Sequence, residues 1–527
     1  MGDGERPTGE LALVLHAHLP YVRSSEPGSL EEDWYFQALQ ECYLPLLAVL
    51  EAAADDSSQR ARLTLGLSPT LLSLLDDQEL NARFLPWLTQ RQELLRRAPA
   101  EHQHAALHLT EQLATVERQW RAASGRLVPR FRRLQELGLI DLITCGATHG
   151  YLPLLREVPE AVRAQLLTAV REHERQLGTP PLGIWLPECA YYEGLDQQLV
   201  AAGLRYSLLD GHGLLHGIPR PRYGVFAPIC SPAGVAFFGR DSNATLPVWS
   251  AREGYPGDGA YREFHRDLGW DLPEEVLQAA GISSRRPLGL KLHRVTGRGC
   301  SLDHKEPYQP SVAATKIQDH AADYLRGRSR ELLDLAGSID PNPLLVAPFD
   351  AELFGHWWFE GPQFLAALFS QAEAAGVRLV TLREVLQRQQ PLQVCRPSPS
   401  SWGQGGYHDY WLNDSNAWVI PQWQRASKAM VRRVNRGVAS QAQRDLLVQA
   451  GRELLLAQSS DWSFILRAGT TTELARERIQ RHLDRFWHLM DALDNGTTLP
   501  ASWLEAVLKE DRLFPSLNAA HWVSMPA

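Results

Sequence analysis

Short apolar runs recur along this chain, and between them the apolar residues return every three or four positions. The runs lie at 11–15, 63–67, 139–145, 182–186, 206–209, 288–292, 344–349 and 377–381. Most are continuous rather than alternating, as strands covered on both faces must be. Strands separated by helical stretches fold into an α/β architecture around a parallel sheet. Two stripes mark the intervening helices: Phe36, Leu39, Tyr43, Leu46 and Leu50, then Leu109, Leu113, Val116 and Trp120. The stretch between the second and third runs is long enough for several helices, so the barrel that such strands form carries insertions.

At 527 residues the chain exceeds one simple domain. Residues 211–287 are rich in Gly, Pro and aromatics, which predicts a loop-dominated subdomain inserted over one end of the barrel. After Pro391 the segment CRPSPSSWGQGG reads as a linker, and helical segments without strands come after it. One apolar seam there is Leu447, Ala450, Leu454 and Ala457, and another is Ile479, Leu483 and Phe486. The expected division is a catalytic barrel over 1–395, including the 211–287 insertion, and a helical C-terminal domain over 396–527.

Bulk properties exclude several classes of partner. Formal net charge is -8 with no basic tract interleaved with aromatics, which argues against nucleic acid. The six cysteines are scattered without a CxxC pair, which suits a reducing compartment and argues against a cysteine-based zinc site. The polar start MGDGERPTGE lacks the features of a signal peptide, and no apolar run approaches the roughly 20 residues of a membrane span. The expectation is a soluble, cytoplasmic protein without a membrane partner. Tryptophan is in excess, with 16 copies, many beside Gly, Pro, His or Asp. An indole stacks on the C–H face of a sugar while its N–H bonds a hydroxyl; Trp402, Trp411, Trp418 and Trp423 are the candidates for such a surface.

The chemistry gathers in the residues just past each strand. The first run leads into His16 and His18, the second into Ser68, the third into His149, the fourth into Glu188, and the fifth into Asp210. The sixth leads into His293 and the seventh into Asp350. In parallel α/β barrels the reactive groups lie at the C-terminal strand ends, where the βα loops converge. Glu188 in GIWLPECAYY and Asp350 in VAPFDAELFGHWWFEGP are carboxylates framed by aromatics. Glycoside cleavage needs one carboxyl to protonate the leaving oxygen and another to attack or activate water, about 5–5.5 Å apart in retaining enzymes. A dry setting would raise the pKa of the proton donor. Glu193, Glu352, Glu360 and Asp210 compete, although Glu360 before Gly-Pro reads as a helix start. The rival chemistry is zinc held by His16, His18, His149, Asp210 and His293; HAHLPYV offers no carboxylate close to the first histidine, and the expectation is no metal and no cofactor.

LVLHAHLPYV, CGATHGYLPLL, GIWLPECAYY, FDAELFGHWWFEGP and WGQGGYHDYWLNDSNAWV resemble, in order, the motifs of family 57 of the glycoside hydrolases, and most of all its α-glucan-branching members. The likeness runs from His16 to the segment around Trp462. It implies a (β/α)7 barrel with an inserted subdomain and a helical C-terminal domain, acting on amylose, glycogen or starch chains without a metal, as a monomer or weak homo-oligomer. By motif, Glu188 matches the nucleophile and Asp350 the general acid/base, while His16 and His149 match residues beside the cleaved bond. His18 and His293 join them as candidates from their strand ends. Trp34, Trp270, Trp402, Trp411 and Asp461 with Trp462 match positions that shape the glucan groove. Branching members also carry a Tyr on a loop over the site. The corresponding stretch here, SPAGVAFFGRDSNATLPVW, has no Tyr, and Phe237 and Phe238 are its aromatic candidates, with Tyr223 and Tyr255 flanking. That departure leaves a predominantly hydrolytic α-glucanase as the alternative, and a non-catalytic glucan-binding protein as the second.

Overall fold

The computed structural model describes residues 9–24, 27–56, 61–250, 253–339, 342–388 and 390–524; most of the polar N-terminal start lies outside them. Among the described residues there are ten strands: β1 (Gly9–Ala17), β2 (Leu63–Leu67), β3 (Ile140–Ile143), β4 (Gly183–Ile184) and β5 (Tyr206–Leu209) come first. The others are β6 (Ile229–Cys230), β7 (Ala236–Gly239), β8 (Leu344–Asp350), β9 (Val377–Leu379) and β10 (Gln393–Val394). One sheet has the order β3-β2-β1-β8, with β9 also pairing β1; all its pairings are parallel. The other runs β10-β6-β7-β5-β4 and is parallel except between β6 and β7. The two sheets are joined through a parallel bridge from Thr144 to Ile184, through Asp241 N–H donating to Val346 O at 2.9 Å, and through Tyr206 O–H on β5 donating to Asp141 on β3.

The fold is therefore α/β with predominantly parallel sheets and a helical C-terminal region. Every residue of β1 is buried, as the continuous apolar run requires. Register sets the level of the site: His16 on β1 pairs with Gly66 on β2 and Asp350 on β8, all at the C-terminal strand ends. The Phe36–Leu50 stripe lies on a helical rod, Leu30–Ala38 and Leu44–Asp55 joined by a π turn at Leu39–Tyr43, with all five stripe residues buried. Five α-helices separate β2 from β3.

Three expectations change. Residues 288–292 form no strand, although Leu288, Leu290 and Leu292 are buried. Their backbone is satisfied differently: the Asp267 carboxylate accepts from Leu288 N–H and Leu290 N–H at 3.0 and 3.1 Å. The 211–287 stretch is not only loop, because β6 and β7 lie inside it and β7 pairs with β5 in the second sheet. Phe237 and Phe238 belong to β7, are 0% exposed, and pack against Tyr191 and Tyr206, so neither covers the site. Finally, the 395–406 segment is no free linker: Cys395, Ser400 and Ser401 are buried, and Tyr191 bridges to Ser400.

Beyond residue 396 an irregular segment over 397–416 leads into the helices Ile420–Asn435, Gln441–Ala457, Ser460–Ala468, Thr472–Asn495 and Ala501–Glu510, with no strand among the described residues there. Both expected seams are buried, on Gln441–Ala457 and Thr472–Asn495, which pack on each other. Among the described residues no helix is long and apolar enough to cross a membrane.

Candidate active site

Glu188 sits just past β4 on a short 3-10 turn, Pro187–Cys189, in which Glu188 has φ 61° and Cys189 φ 48°. His149 has φ 56°. Left-handed backbone at non-glycine residues is uncommon and persists only where the surroundings enforce it. Here they do: Trp402 N–H donates to Glu188 O at 3.0 Å, and Ser460 N–H donates to His149 O at 3.2 Å. Segments late in the sequence thus clamp the turns that carry the early site residues.

Around Glu188 the donors form an ordered relay. Trp402 Nε1–H donates to Glu188 Oε2 at 2.8 Å, and Ser460 Oγ–H to Oε1 at 3.3 Å. Ser460 Oγ lies 2.7 Å from His149 Nδ1, and His149 Nε2 lies 3.1 Å from His16 Nε2. One proton arrangement satisfies the chain: His16 Nε2–H donates to His149 Nε2, and His149 Nδ1–H donates to Ser460, which donates to Glu188. It leaves His16 Nδ1 bare, and that atom is buried without a partner. Burial, then neighbouring histidines, push His16 and His149 well below the ordinary imidazole range, so both are neutral. His16 also stacks on Trp185 with centroids 4.7 Å apart.

His18 holds the next wall. Its Nε2 lies 3.0 Å from Asp461 Oδ1, its Nδ1 2.9 Å from Ser68 Oγ, and its ring stacks on His149 at 4.0 Å. Burial alone would raise Asp461, but His18 brings it down to about 2, so this carboxyl is ionised throughout the working range. Its Oδ2 also accepts from Ser459.

Asp350 ends β8 directly beside His16. Burial and the charge of Glu352 raise it to about 7. Glu188 rises to about 8, chiefly by burial, with Trp402 opposing and the charge of Asp350 adding to the rise. The two carboxyls sense each other, and the one proton that the pair holds near neutrality rests more on Glu188 than on Asp350. The donors from Trp402 and Ser460 favour the charged form of Glu188. Both carboxyls are partly open to the cleft. Glu352 is fixed behind them, accepting from Tyr43 O–H at 2.5 Å and from His18 N–H at 3.1 Å. Asp210 joins through Arg240, 3.4 Å away, whose guanidinium also lies 6.0 Å over the Trp402 ring.

His16, His18, His149, Glu188, Asp350, Trp402 and Asp461 thus come together, with Glu352 and Asp210 beside them, and the remaining candidates do not. His293 is buried against His102 with ring centroids 4.2 Å apart; without a strand at 288–292 it does not reach the strand ends. Trp411 is buried, stacked on Tyr151 at 4.9 Å, and Trp462 and Trp423 are buried in the core. Trp34 packs partly buried against the core from Leu30–Ala38. Trp270 is exposed on the short helix Leu268–Asp271. Of the competing carboxylates, Glu193 is exposed and pairs with Arg396, while Glu360 is buried and accepts from Tyr308 O–H and Arg262 N–H. Sequence reasoning missed Ser460, Trp185, Trp249 and Trp357; serine carries no chemical signature by type, but the two exposed indoles sit inside the motif stretches quoted for the site. Ligand atoms of His18, His149 and Asp461, and of His16, Cys145 and His149, lie close enough to hold a cation. The neutral imidazoles of His16 and His149 can equally donate or accept, and the ionised Asp461 accept, a hydrogen bond from a ligand's hydroxyl.

The family model described as Glycosyl hydrolase family 57 matches residues 12–396, and one described as the C-terminal part of 1,4-alpha-glucan branching enzyme matches 422–522. The chain is 31% identical over 517 residues to a 1,4-alpha-glucan branching enzyme of Thermococcus kodakarensis, covering 92% of this chain and 74% of that protein. Among solved structures, an α-amylase of Thermotoga maritima superimposes with TM-score 0.89 at 34% identity, covering 98% of this chain and 100% of the other. A family 57 branching enzyme of Pyrococcus horikoshii superimposes with TM-score 0.89 at 30% identity, covering 98% and 97%.

Proposed function

Since the chain belongs to glycoside hydrolase family 57, we propose that it is a 1,4-α-glucan branching enzyme that works by retaining transglycosylation between Glu188 and Asp350. The observation that carries this reading is the pair itself. Glu188 receives N–H and O–H donors that favour a carboxylate nucleophile, beside an Asp350 that burial keeps able to hold a proton; since Glu188 is raised further than Asp350, the reactive arrangement is the minority form of the pair. A Glu188 oxygen attacks the anomeric carbon as the bond to the departing O4 breaks, and the Asp350 proton passes to O4. The acceptor's 6-hydroxyl then gives its proton to Asp350 while its oxygen displaces Glu188, leaving an α-1,6 branch with retained configuration. Ionised Asp461, His18 and neutral His149 hold hydroxyls of the ring being transferred; the bonds they already make fix their orientation.

In this reading the two sheets act as a seven-stranded barrel, supported by the Thr144–Ile184 bridge and the Asp241–Val346 bond. The catalytic unit spans 1–395, and the helical unit beyond it supplies Trp402, Ser460 and Asp461 to the cleft. The six unpaired cysteines suit a cytoplasmic role in building glycogen- or starch-like polymers.

Amylose hydrolysis is the second reading, favoured by the Thermotoga neighbour's description and by the absence of a Tyr in the 231–249 stretch. Incubating amylose with the protein and counting α-1,6 linkages against new reducing ends separates the two. Branching gives linkages in step with cleavage; reducing ends that rise alone contradict it.

A further inference from the structure

The histidines and Asp461 line one side of Glu188. A different chemistry lines another. The helix Ser242–Trp249 begins beside β8, where Asp241 caps it and donates through its own N–H to Val346, and the helix packs along β8. It ends on Trp249. Trp357 lies one tight turn past Asp350, with its N–H donating to Glu352 O at 3.1 Å. The two indoles meet edge to face at 6.4 Å, and Trp249 lies 5.9 Å from Trp402, which itself bonds Glu188. Trp249 is 38% exposed and Trp357 45%, while the Glu188 side chain is 13% exposed. Large aromatic faces left open beside a polar, buried reaction centre are a surface for a ligand with flat apolar faces of its own.

Resting on the branching reading, we propose that Trp249 and Trp357 form the acceptor platform: an incoming glucan stacks on them and delivers its hydroxyl to the glycosyl ester on Glu188. Their position on the β7 and β8 side, the side of the proton-transferring Asp350, suits the chain that leaves and the chain that enters. The histidine wall serves the ring that stays. A sugar stacked there also displaces water from the approach to the ester, so the same two rings set how often transfer wins over hydrolysis. A glucosyl fluoride has no leaving glucan to stack there, so ester formation from that donor should not need the platform, although Trp249 also packs on Trp402, the donor to Glu188.

The test uses Trp249→Ala, Trp357→Ala and the conservative Trp249→Phe and Trp357→Phe in the full chain, with amylose as substrate and a glucosyl fluoride as activated donor. Each Ala variant is expected to lower the ratio of new linkages to new reducing ends about three- to tenfold, the scale of one lost aromatic contact. Fluoride release without acceptor should stay within about twofold of wild type, since an interaction made only with acceptor leaves the first step untouched. The concentration of added maltooligosaccharide needed for half-maximal transfer should rise, and the Phe variants should recover most of the ratio. An unchanged ratio and acceptor dependence in both Ala variants overturns the platform while the branching reading stands. A wild-type protein that forms no new linkage overturns the branching reading and the platform with it.

Discussion

Glu188 is the residue whose protonation decides the chemistry, and the indole N–H of Trp402 bears on it directly. That bond stabilises the charged carboxylate and so holds its pKa below what burial alone would give. Trp402→Phe keeps the ring and removes the donor; Glu188, already the higher of the pair, should then titrate higher still, so the alkaline limb of the kcat/KM profile should move to higher pH while its maximum falls. The profile itself is expected to be bell-shaped, since below both apparent pKa values no nucleophile is ionised and above both no acid remains. Glu188 also costs stability when ionised. Its folded pKa of about 8 lies above the ordinary carboxylate value, so its stabilising contribution is present at acid pH and disappears as pH rises through that window. Glu188→Gln should accordingly abolish turnover yet gain in Tm relative to wild type, by little at pH 5 and by a few degrees at pH 9, on the scale of about 1–2 kcal/mol. Thermal scans at the two pH values check the sign.

Turns and strand ends do the positioning, and they were unevenly legible. The strand ends carrying His16, Glu188 and Asp350 could be read because continuous apolar runs lead straight into polar residues. β7 could not, since AFFG is four residues long and embedded among glycines and prolines. The 288–292 run misled because alternate leucines are buried just as in a strand, while a single carboxylate, Asp267, takes the place of a neighbouring strand. Trp411 and Trp462 match groove positions by motif yet are buried, because burial depends on partners such as Tyr151 that no local pattern reveals. One turn is testable on its own. Gly355, in the loop from Asp350 to Trp357, has φ 122°, and an added Cβ would lie 1.8 Å from the Glu41 carbonyl oxygen. Gly355→Ala is expected to cost at least about 2–3 kcal/mol in urea unfolding, from strained backbone and a clash with atoms that cannot swing away. Beneath the same turn, Glu41 pairs with Arg262 at 2.9 Å, both buried. Glu41 also faces Lys291 and lies 2.6 Å from His356 Nδ1, so Arg262→Met should cost about 1–3 kcal/mol, the loss of one of three partners.

Across the whole molecule the site is a joint product of distant segments. Residues 16, 149, 188 and 350 come from strand ends and the loops after them, while Trp402 and Asp461, expected from the C-terminal region, arrive from it together with Ser460. Thr148 O–H donating to Leu455 O and the Gly150–Ser459 bridge tie the two together. A chain ending at 395 keeps both carboxyls yet loses both donors to Glu188, and it is expected to show no turnover on amylose even where it remains soluble. Asp461→Asn in the full chain tests the same dependence more gently: it removes the charge facing His18 and should lower kcat by about 10²-fold or more, with circular dichroism unchanged.

The division of labour between the two carboxyls is most directly tested by trapping the covalent intermediate. Reacting the protein with 5-fluoro-α-glucosyl fluoride slows the second step more than the first, and peptide mass spectrometry then locates the ester. One glucosyl adduct is expected, on Glu188, whose formation persists at reduced rate in Asp350→Asn and vanishes in Glu188→Gln. An adduct on Asp350 or Glu352, or turnover with no adduct that survives in Glu188→Gln, would contradict that division.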